Sequence, residues 1–152
     1  MQVKEILRVQ GGTLYTVTPD MTLSEAVISM ADHDIGSVVV MEEGKLAGML
    51  TFREVIKVLA KRQQEARVGP TPTMTQIKVA EVMDANPAIA DPSMDVDELR
   101  SVMLERHQRY MPVLEASTLL GVISFHDVAK AVLEEQAFEN RMLKGYIKDW
   151  PA

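Results

Sequence analysis

The chain of 152 residues contains no cysteine, which excludes thiolate nucleophiles, disulfide scaffolds and zinc sites built on cysteine. It also lacks long apolar runs. None approaches the roughly 20 residues that a membrane-spanning helix needs, and residues 1–7 lack the apolar core of a signal peptide. These absences predict a cytoplasmic protein with no membrane partner.

Basic charge is scarce as well. The 16 Lys and Arg residues are scattered among 22 Asp and Glu residues, giving a net charge of −6. A non-specific nucleic-acid binder needs a basic face to neutralise phosphates, so no nucleic-acid partner is expected. One local arginine can still bind a small anionic ligand. The hydrophobic content of 47% is enough for one domain of ordinary size or for two small halves that share a core.

What the chain does contain is an internal repeat. The stretch Gly48-Met-Leu-Thr-Phe-Arg-Glu-Val55 returns as Gly121-Val-Ile-Ser-Phe-His-Asp-Val128, and 121 minus 48 gives an offset of 73 residues. Internal repeats are the first feature to test when a fold is inferred from sequence. The same offset, without gaps, pairs identical residues at Pro19/Pro92, Met21/Met94, Glu25/Glu98, Met30/Met103, Val40/Val113, Glu42/Glu115, Leu46/Leu119, Phe52/Phe125 and Lys57/Lys130.

Each copy is predicted to contain a strand, a Pro turn, a capped helix, a β-hairpin and a second helix. In the first copy these are Leu14–Val17, a helix capped by Thr22 with Glu25 and stopped at Gly36, the hairpin Ser37–Met41 with Leu46–Leu50, and a helix with Phe52, Val55, Ile56 and Leu59 on one face. In the second they are Ala88-Ile89, a helix capped by Asp95 with Glu98, the hairpin Tyr110–Leu114 with Leu119–Ile123, and a helix from Phe125.

The two copies predict one pseudo-symmetric α/β (α+β) module, because neither half alone buries much surface. The polar and turn-forming residues between about Lys61 and Thr75 separate the copies, so the units are placed at residues 1–70 and 71–152. Short helical turns open both, at Val3–Leu7, ended by Gly11-Gly12, and at Val79–Met83. Gly48 inside a strand indicates a bulge or a close backbone approach.

The last helix is predicted to outrun its counterpart, from about Phe125 toward Lys144. Its apolar positions continue at Met142, Leu143, Tyr146, Ile147 and Trp150. Surplus apolar surface of this kind marks contacts. A homodimer contact is favoured over packing back on the same chain.

The repeated motif has two readings. In Ser124-Phe-His-Asp127 and Thr51-Phe-Arg-Glu54, a hydroxyl residue followed three places later by an acid is a capping box that starts a helix. Both copies also follow a glycine-bearing strand, and helix N-termini bind anions. The hydroxyl and carboxylate can hold ribose hydroxyls, and Arg109, just before a strand, can meet a phosphate. Both readings stand at this point.

The repeated motif, the order of the elements and Met111-Pro112-Val113 resemble a pair of cystathionine-β-synthase (CBS) domains, over nearly the whole chain. The resemblance implies a stand-alone regulatory module, not an enzyme, with clefts between the repeats that hold an adenosine-containing ligand. AMP, ADP, ATP, NAD(H) and S-adenosylmethionine are the expected ligand class, with no catalytic cofactor. Occupancy of the cleft would be passed to a protein effector.

The resemblance also assigns roles to individual residues. Asp127 would hold ribose with support from Ser124, Arg109 and His126 would face phosphate, and the backbone near Ile89 and Met111 would bracket adenine. In the first repeat the residues expected to contact ligand are Thr51, Arg53, Glu54, Val17 and Val38. There Glu54 replaces the usual Asp, and Gly36 stands where the second repeat has Arg109. The cleft at Asp127 is therefore expected to be the working site.

Other functions find less support in the residues. The histidines, His33, His107 and His126, lack the spacing of a helical metal site, so no metal site is predicted. No acid/base pair with a third orienting group is evident. A protein interaction or dimerisation module without a small ligand remains the alternative, and a metal-dependent nucleotide hydrolase is a third.

Overall fold

The structure is a computed structural model that describes residues 1–10, 14–65 and 73–148. It has six helices and five strands in those ranges. In chain order they are α1 (Val3–Gln10), β1 (Thr16–Val17), α2 (Leu23–Asp32), β2 (Ser37–Glu42), β3 (Lys45–Thr51), α3 (Phe52–Glu65), α4 (Val79–Val82), α5 (Val96–Arg106), β4 (Tyr110–Glu115), β5 (Thr118–Ser124) and α6 (Phe125–Lys148). The mixed α/β class and the repeated element order are confirmed.

Each repeat has a small sheet built on an antiparallel hairpin. In the first, β2 pairs with β3 and the short β1 lies parallel to β2. In the second, β4 pairs with β5. The strand predicted at Ala88-Ile89 does not form, and only an isolated parallel bridge joins Ala90 to Val113. Prolines at 87 and 92 flank this short segment and remove backbone donors that a longer ladder needs.

The two halves are interleaved at their leading helices. Val3 and Ile6 of α1 are buried in the core of the second repeat, whereas Val79 of α4 is buried in the core of the first. Backbone hydrogen bonds fix both crossings, from Val3 N to the Met94 carbonyl and from Val79 N to the Met21 carbonyl, each 2.9 Å. The core of each repeat therefore includes the leading helix of the other repeat.

The helices α2 and α5 are each followed by a left-handed residue, and this corrects the role predicted for Gly36. Asp34 and His107 occupy equivalent positions, and both have φ of 52°. Gly36 does not have a positive φ. A Cβ at that position would collide with the Tyr110 hydroxyl and with the ring of Phe52, so the glycine makes room for two aromatic side chains.

Gly48 shows both features that were predicted for it. The register of β2 and β3 shifts between Val40 and Met41, opposite this residue. A Cβ on Gly48 would also collide with the Asp84 carbonyl, whose oxygen accepts a 2.9 Å hydrogen bond from Met49 N. The chain therefore crosses β3 at a distance that only glycine permits.

The apolar residues of α3 and α6 face solvent more than a core helix would. Phe52, Ile56 and Leu59 are about half exposed, while the neighbouring Val58 is buried. The long α6 bears exposed Leu133, Phe138, Met142 and Leu143, all at least 56% accessible. Gly11, Gly12, Pro70, Pro72 and Trp150, and the predicted boundary at residue 70, lie outside the described residues, as does the side chain of Ile147.

The Pro turn of each repeat contains a hydrogen bond from a hydroxyl to a carboxylate two residues away, and the positions of the donor and the acceptor are exchanged between the repeats. In the first, the Thr18 hydroxyl donates to Asp20 at 2.7 Å. In the second, the Ser93 hydroxyl donates to Asp91 at 2.5 Å. Thr18 is equivalent to Asp91 and Asp20 to Ser93. The hydroxyl lowers the pKa of each carboxyl, because it stabilises the charged form.

Candidate ligand cavities between the repeats

Both copies of the motif start a helix, as the capping interpretation requires. In the first, Thr51 N donates to Glu54 Oε1 at 2.7 Å and Arg53 N donates to the Thr51 hydroxyl at 3.2 Å. In the second, Ser124 N donates to Asp127 Oδ2 at 2.9 Å and Asp127 N donates to the Ser124 hydroxyl at 3.0 Å. Capping does not use all of either carboxylate, which can accept about four hydrogen bonds.

Each motif acid also lines a cavity between the repeats. The Glu54 cavity measures about 630 Å³ and is lined by Met49, Thr51, Phe52, Arg53, Glu54, Ile56, Lys57, Asp84, Pro87, Met103, Leu104, Arg106, His107, Gln108, Arg109, Tyr110 and Phe125. The Asp127 cavity measures about 350 Å³ and is lined by Leu7, Gln10, Leu14, Tyr15, Ile35, Gly36, Ser37, Tyr110, Leu120, Gly121, Val122, Ser124 and Asp127. Volumes of this order suit small organic ligands.

The cations collect at the Glu54 cavity. Four basic residues line it, Arg53, Lys57, Arg106 and Arg109, against two acids, Glu54 and Asp84. Within the described ranges, Arg53, Lys57 and Arg109 form no ion pair. Their charges are therefore available to an anion, and the start of α3 adds backbone donors at the same place.

The sequence predicts that Arg109 lies in the same site as Asp127, but the two residues line different cavities. The Arg109 carbonyl accepts a 2.7 Å hydrogen bond from Phe125 N, so its backbone is next to the start of α6. The residue nevertheless lines the Glu54 cavity. Gly36, predicted as the poor companion of Glu54, lines the Asp127 cavity instead. Each cavity combines the motif of one repeat with the start of the hairpin strand of the other, so the predicted pairing is exchanged.

The wall of the Glu54 cavity that comes from the second repeat is held by two side chains. The side chain of Gln108 forms hydrogen bonds with both backbone groups of Ala88. Ala88 N donates to Gln108 Oε1, and Gln108 Nε2 donates to the Ala88 carbonyl, at 2.9 Å each. Arg106 donates to the Asn86 carbonyl at 2.8 Å. These bonds fix the segment around Pro87 against the start of β4, which positions one side of the cavity.

Several residues assigned from the resemblance lie elsewhere. Val17, Val38 and Met111 are buried in the cores, and Ile89 and His126 are exposed. None of the five is among the described residues that line either cavity. The three valine and methionine side chains face the cores because alternate strand positions point inward. Tyr110 and Ser37, one residue before Met111 and Val38, do line cavities.

Sequence reasoning missed Gln10, Lys57 and Arg106 as cavity residues. Gln10 ends α1, and its side-chain amide donates to Asp127 Oδ2 at 2.8 Å and to the Val122 carbonyl at 2.9 Å. No sequence signal places the first helix against the second repeat's motif. Lys57 lies four residues after Arg53 on α3, and that spacing puts two cations on one helix face, so it was open to detection.

Two features are absent from the described ranges. No group of three or more His, Asp or Glu side chains there is arranged to hold a metal ion. No helix there is both long and apolar enough to cross a membrane.

A family model supplies the decisive comparison. The model described as "CBS domain" matches residues 3–61 and again 79–134. The chain belongs to the CBS domain family. Its two matches make it a CBS pair, and the resemblance of the motifs is confirmed. The second match ends inside α6, so the last part of that helix lies beyond the repeat.

Known relatives agree with this assignment. The CBS pair is 31% identical over 114 residues to the CBS domain-containing protein YhcV of Bacillus subtilis, covering 75% of each chain. Among solved structures, the CBS-domain protein ATU1752 from Agrobacterium tumefaciens has a TM-score of 0.76 and 31% identity, covering 86% of this chain and 98% of that one.

Two more distant structures share the fold and contain ligands. The CBS domain pair of MJ0100, in complex with 5′-methylthioadenosine and S-adenosyl-L-methionine, has a TM-score of 0.73 at 21% identity, covering 89% of this CBS pair and 98% of that chain. CBSX2 in complex with AMP has a TM-score of 0.70 at 17% identity, with coverage of 89% and 98%.

Proposed function

We propose that this CBS pair is a non-catalytic regulatory module that binds an adenosine-containing ligand between its repeats and passes occupancy to a partner. The observation that carries the proposal is the Glu54 cavity. It joins a motif acid to four cations, none of which forms an ion pair in the described ranges. Adenosyl ligands bound by MJ0100 and CBSX2 support the ligand class.

The Glu54 cavity suits a phosphorylated ligand such as AMP. Glu54 Oε1 accepts from Thr51 N and from the Thr51 hydroxyl at 2.8 Å, and Oε2 accepts no hydrogen bond from the described residues. A ribose hydroxyl can donate to Oε2. Arg53 and Arg109 come from different repeats, so a phosphate between them would be held by both halves. Phe52, Leu104 and Phe125 supply apolar surface for adenine.

Ligand bridging also explains how occupancy could reach a partner. A ligand that contacts both repeats favours the arrangement of the repeats in which those contacts form. Any surface that changes with that arrangement can report occupancy. The size of the effect is limited by the difference in ligand affinity between the two arrangements.

Titration calorimetry with AMP tests the proposal. Gln is accepted at the third position of a capping box, so Glu54→Gln keeps the helix start and removes the charge. A hydrogen bond to a charged group contributes about 1.5–3 kcal/mol, so we expect AMP to bind roughly tenfold or more weakly. Asp127→Asn is the matched control at the equivalent position and should leave AMP binding unchanged. Absence of AMP binding to the folded wild type at millimolar concentration would overturn the proposal.

We further propose that a second copy of the chain covers the distal part of α6. The exposed Phe138 and Met142 are four residues apart and share one helix face. The acids Glu134, Glu135 and Glu139 precede the bases Arg141 and Lys144. Antiparallel pairing of two such helices sets acids against bases, whereas parallel pairing sets like charges together.

Sedimentation velocity distinguishes this contact from an unpaired helix. Met142→Lys inserts a charge into the proposed contact and should convert a dimer into a monomer. Asn140→Lys adds the same charge about 200° around the helix and should leave the dimer intact. A wild-type monomer across the micromolar range, or a dimer that survives Met142→Lys, would contradict the pairing.

A further inference from the structure

The Asp127 cavity differs from the Glu54 cavity in charge. Asp127 is the one charged residue among the described residues that line it. Tyr15, Tyr110, Leu14 and Leu120 form much of the wall. A phosphate in this cavity would meet a carboxylate and no lining cation. An uncharged nucleoside meets no such penalty.

The carboxylate of Asp127 is already engaged. Its Oδ2 accepts from Ser124 N at 2.9 Å and from Gln10 Nε2 at 2.8 Å, which uses both lone pairs of that oxygen. Oδ1 accepts no hydrogen bond from the described residues. The vicinal hydroxyls of a ribose can donate to both oxygens of one carboxylate. For Asp127 to hold them in this way, Gln10 has to leave Oδ2.

Gln10 is held in place by the packing of its helix. Leu7 lies so close to β5 that a Cβ on Gly121 would be 2.9 Å from its Cδ2 atom. The start of α1 is fixed by backbone bonds from Val3 to Met94 and from Lys4 to Pro92. The far end carries Gln10, whose Nε2 also donates to the Val122 carbonyl. The amide therefore bridges β5 and the motif acid.

Among the described residues of the Glu54 cavity, no side chain of a leading helix forms a hydrogen bond with the motif acid. The leading helix on that side, α4, ends at Val82. The Met49 carbonyl, equivalent to that of Val122, accepts instead from the backbone N of Asp84 at 2.8 Å. Within the described ranges, no side chain of the α4 segment donates to Glu54. One motif acid is thus occupied by a side chain of the leading helix, and the other is not.

We propose that the Asp127 cavity is a second site, selective for an unphosphorylated nucleoside-type ligand, and that Gln10 gates it by holding Asp127 until ribose hydroxyls replace the amide. The proposal rests on the proposed function in one respect, the use of a motif acid as the ribose acceptor. Binding would release the end of α1 from β5 and α6. Because α1 packs in the core of the second repeat, ligand binding in the Asp127 cavity would change the packing of that core.

Calorimetry with adenosine as the probe tests the gate. Gln10→Ala removes the competing donor. Because its hydrogen bond to the carboxylate is exposed, we expect a gain at the low end of the range for bonds to charged groups, so adenosine should bind roughly tenfold more tightly. Gln64→Ala, a change of the same type at an exposed position on α3, should leave adenosine binding unchanged. Circular dichroism establishes that each variant is folded.

Combining variants assigns the gain to Asp127. If Gln10 acts through Asp127, the gain should vanish when Gln10→Ala is combined with Asp127→Asn. The side-chain amide resonances of Gln10 should also shift on adding adenosine to the wild type. Unchanged adenosine affinity in Gln10→Ala, or an equal gain for AMP, would overturn the proposal. AMP binding that depends on Glu54 would still support the proposed function, so the two failures are distinguishable.

Discussion

The two cavities occupy equivalent places in the repeats, yet their chemistry differs. At the Glu54 cavity the second repeat supplies Arg109, and at the Asp127 cavity the first repeat supplies Gly36, its equivalent. Arg106 likewise corresponds to His33, which stacks on Tyr15 with ring centroids 3.8 Å apart. The comparison teaches that pseudo-symmetry preserves the framework while single positions decide which charges line each cavity.

The largest expected effect compares the two equivalent glycines of β3 and β5. In Gly48→Ala the new Cβ meets the backbone carbonyl of Asp84, which cannot rotate away, whereas in Gly121→Ala it meets the end of the Leu7 side chain. Overpacking costs roughly 1–3 kcal/mol. We expect about 3 kcal/mol for Gly48→Ala and about 1 kcal/mol or less for Gly121→Ala, measured by urea unfolding. Equal losses would show that the two crossings are equally tight.

The second prediction concerns phosphate. Arg109→Ala should weaken AMP binding about tenfold, because a charge-assisted hydrogen bond to the phosphate is lost. Adenosine affinity should not change. Arg100→Ala, on α5 but outside both cavities, is the control, and calorimetry provides the measurement. A variant that binds AMP as the wild type does would remove Arg109 from the site.

The sequence could not predict that Arg109 lines the Glu54 cavity and that Gly36 lines the Asp127 cavity. The 73-residue offset shows that Gly36 and Arg109 are equivalent. The residue patterns correctly predicted the hairpins, the capped helices and the irregularity at Gly48. An offset relates positions along the chain, but it does not say which motif a position faces across the packed repeats. The contact of Arg109 with the Glu54 cavity depends on how the halves pack.

Two other local features could not be predicted from the sequence pattern. Phe52 and Ile56 follow the helical period, yet they face a cavity, because periodicity identifies an apolar face without saying what covers it. The sequence predicts Gly36 as the helix stop, whereas in the structure Asp34 adopts the left-handed conformation. Asp tolerates that conformation, so a nearby glycine is not required. Gln10 gave no signal, since its partner lies 117 residues away.

A third prediction uses salt to separate the cavities. Raising ionic strength from about 0.1 M to about 1 M shortens the Debye length from about 10 Å to about 3 Å. AMP binding, which depends on exposed cations, should weaken several-fold. Adenosine binding should change little, because it brings no charge. Parallel loss of both affinities would contradict the assignment of phosphate to the Glu54 cavity alone.

The smallest expected effect lies in the Pro turns. The pKa of Asp20 is lowered because the Thr18 hydroxyl donates to its carboxylate. A lowered pKa stabilises the fold above the ordinary pKa of an aspartate, near 4, and this contribution is lost as pH falls through the lower, folded-state value. Thr18→Val should return the pKa of Asp20 toward the ordinary value.

Carboxyl NMR titration measures this change directly. Asp91, whose pKa is lowered by Ser93, lies in the other repeat and should be unaffected by Thr18→Val. Ser93→Ala should have the reverse pattern. If the pKa of Asp20 stayed low in Thr18→Val, the hydroxyl would not be its cause.

The most direct test of the division between the cavities is calorimetric titration of adenosine into the CBS pair already saturated with AMP. Two cavities that differ in charge predict that adenosine still binds, to one site per chain, and that Asp127→Asn weakens this binding while Glu54→Gln does not. If saturation with AMP abolished adenosine binding at every accessible concentration, both ligands would share one cavity, and the division would be wrong.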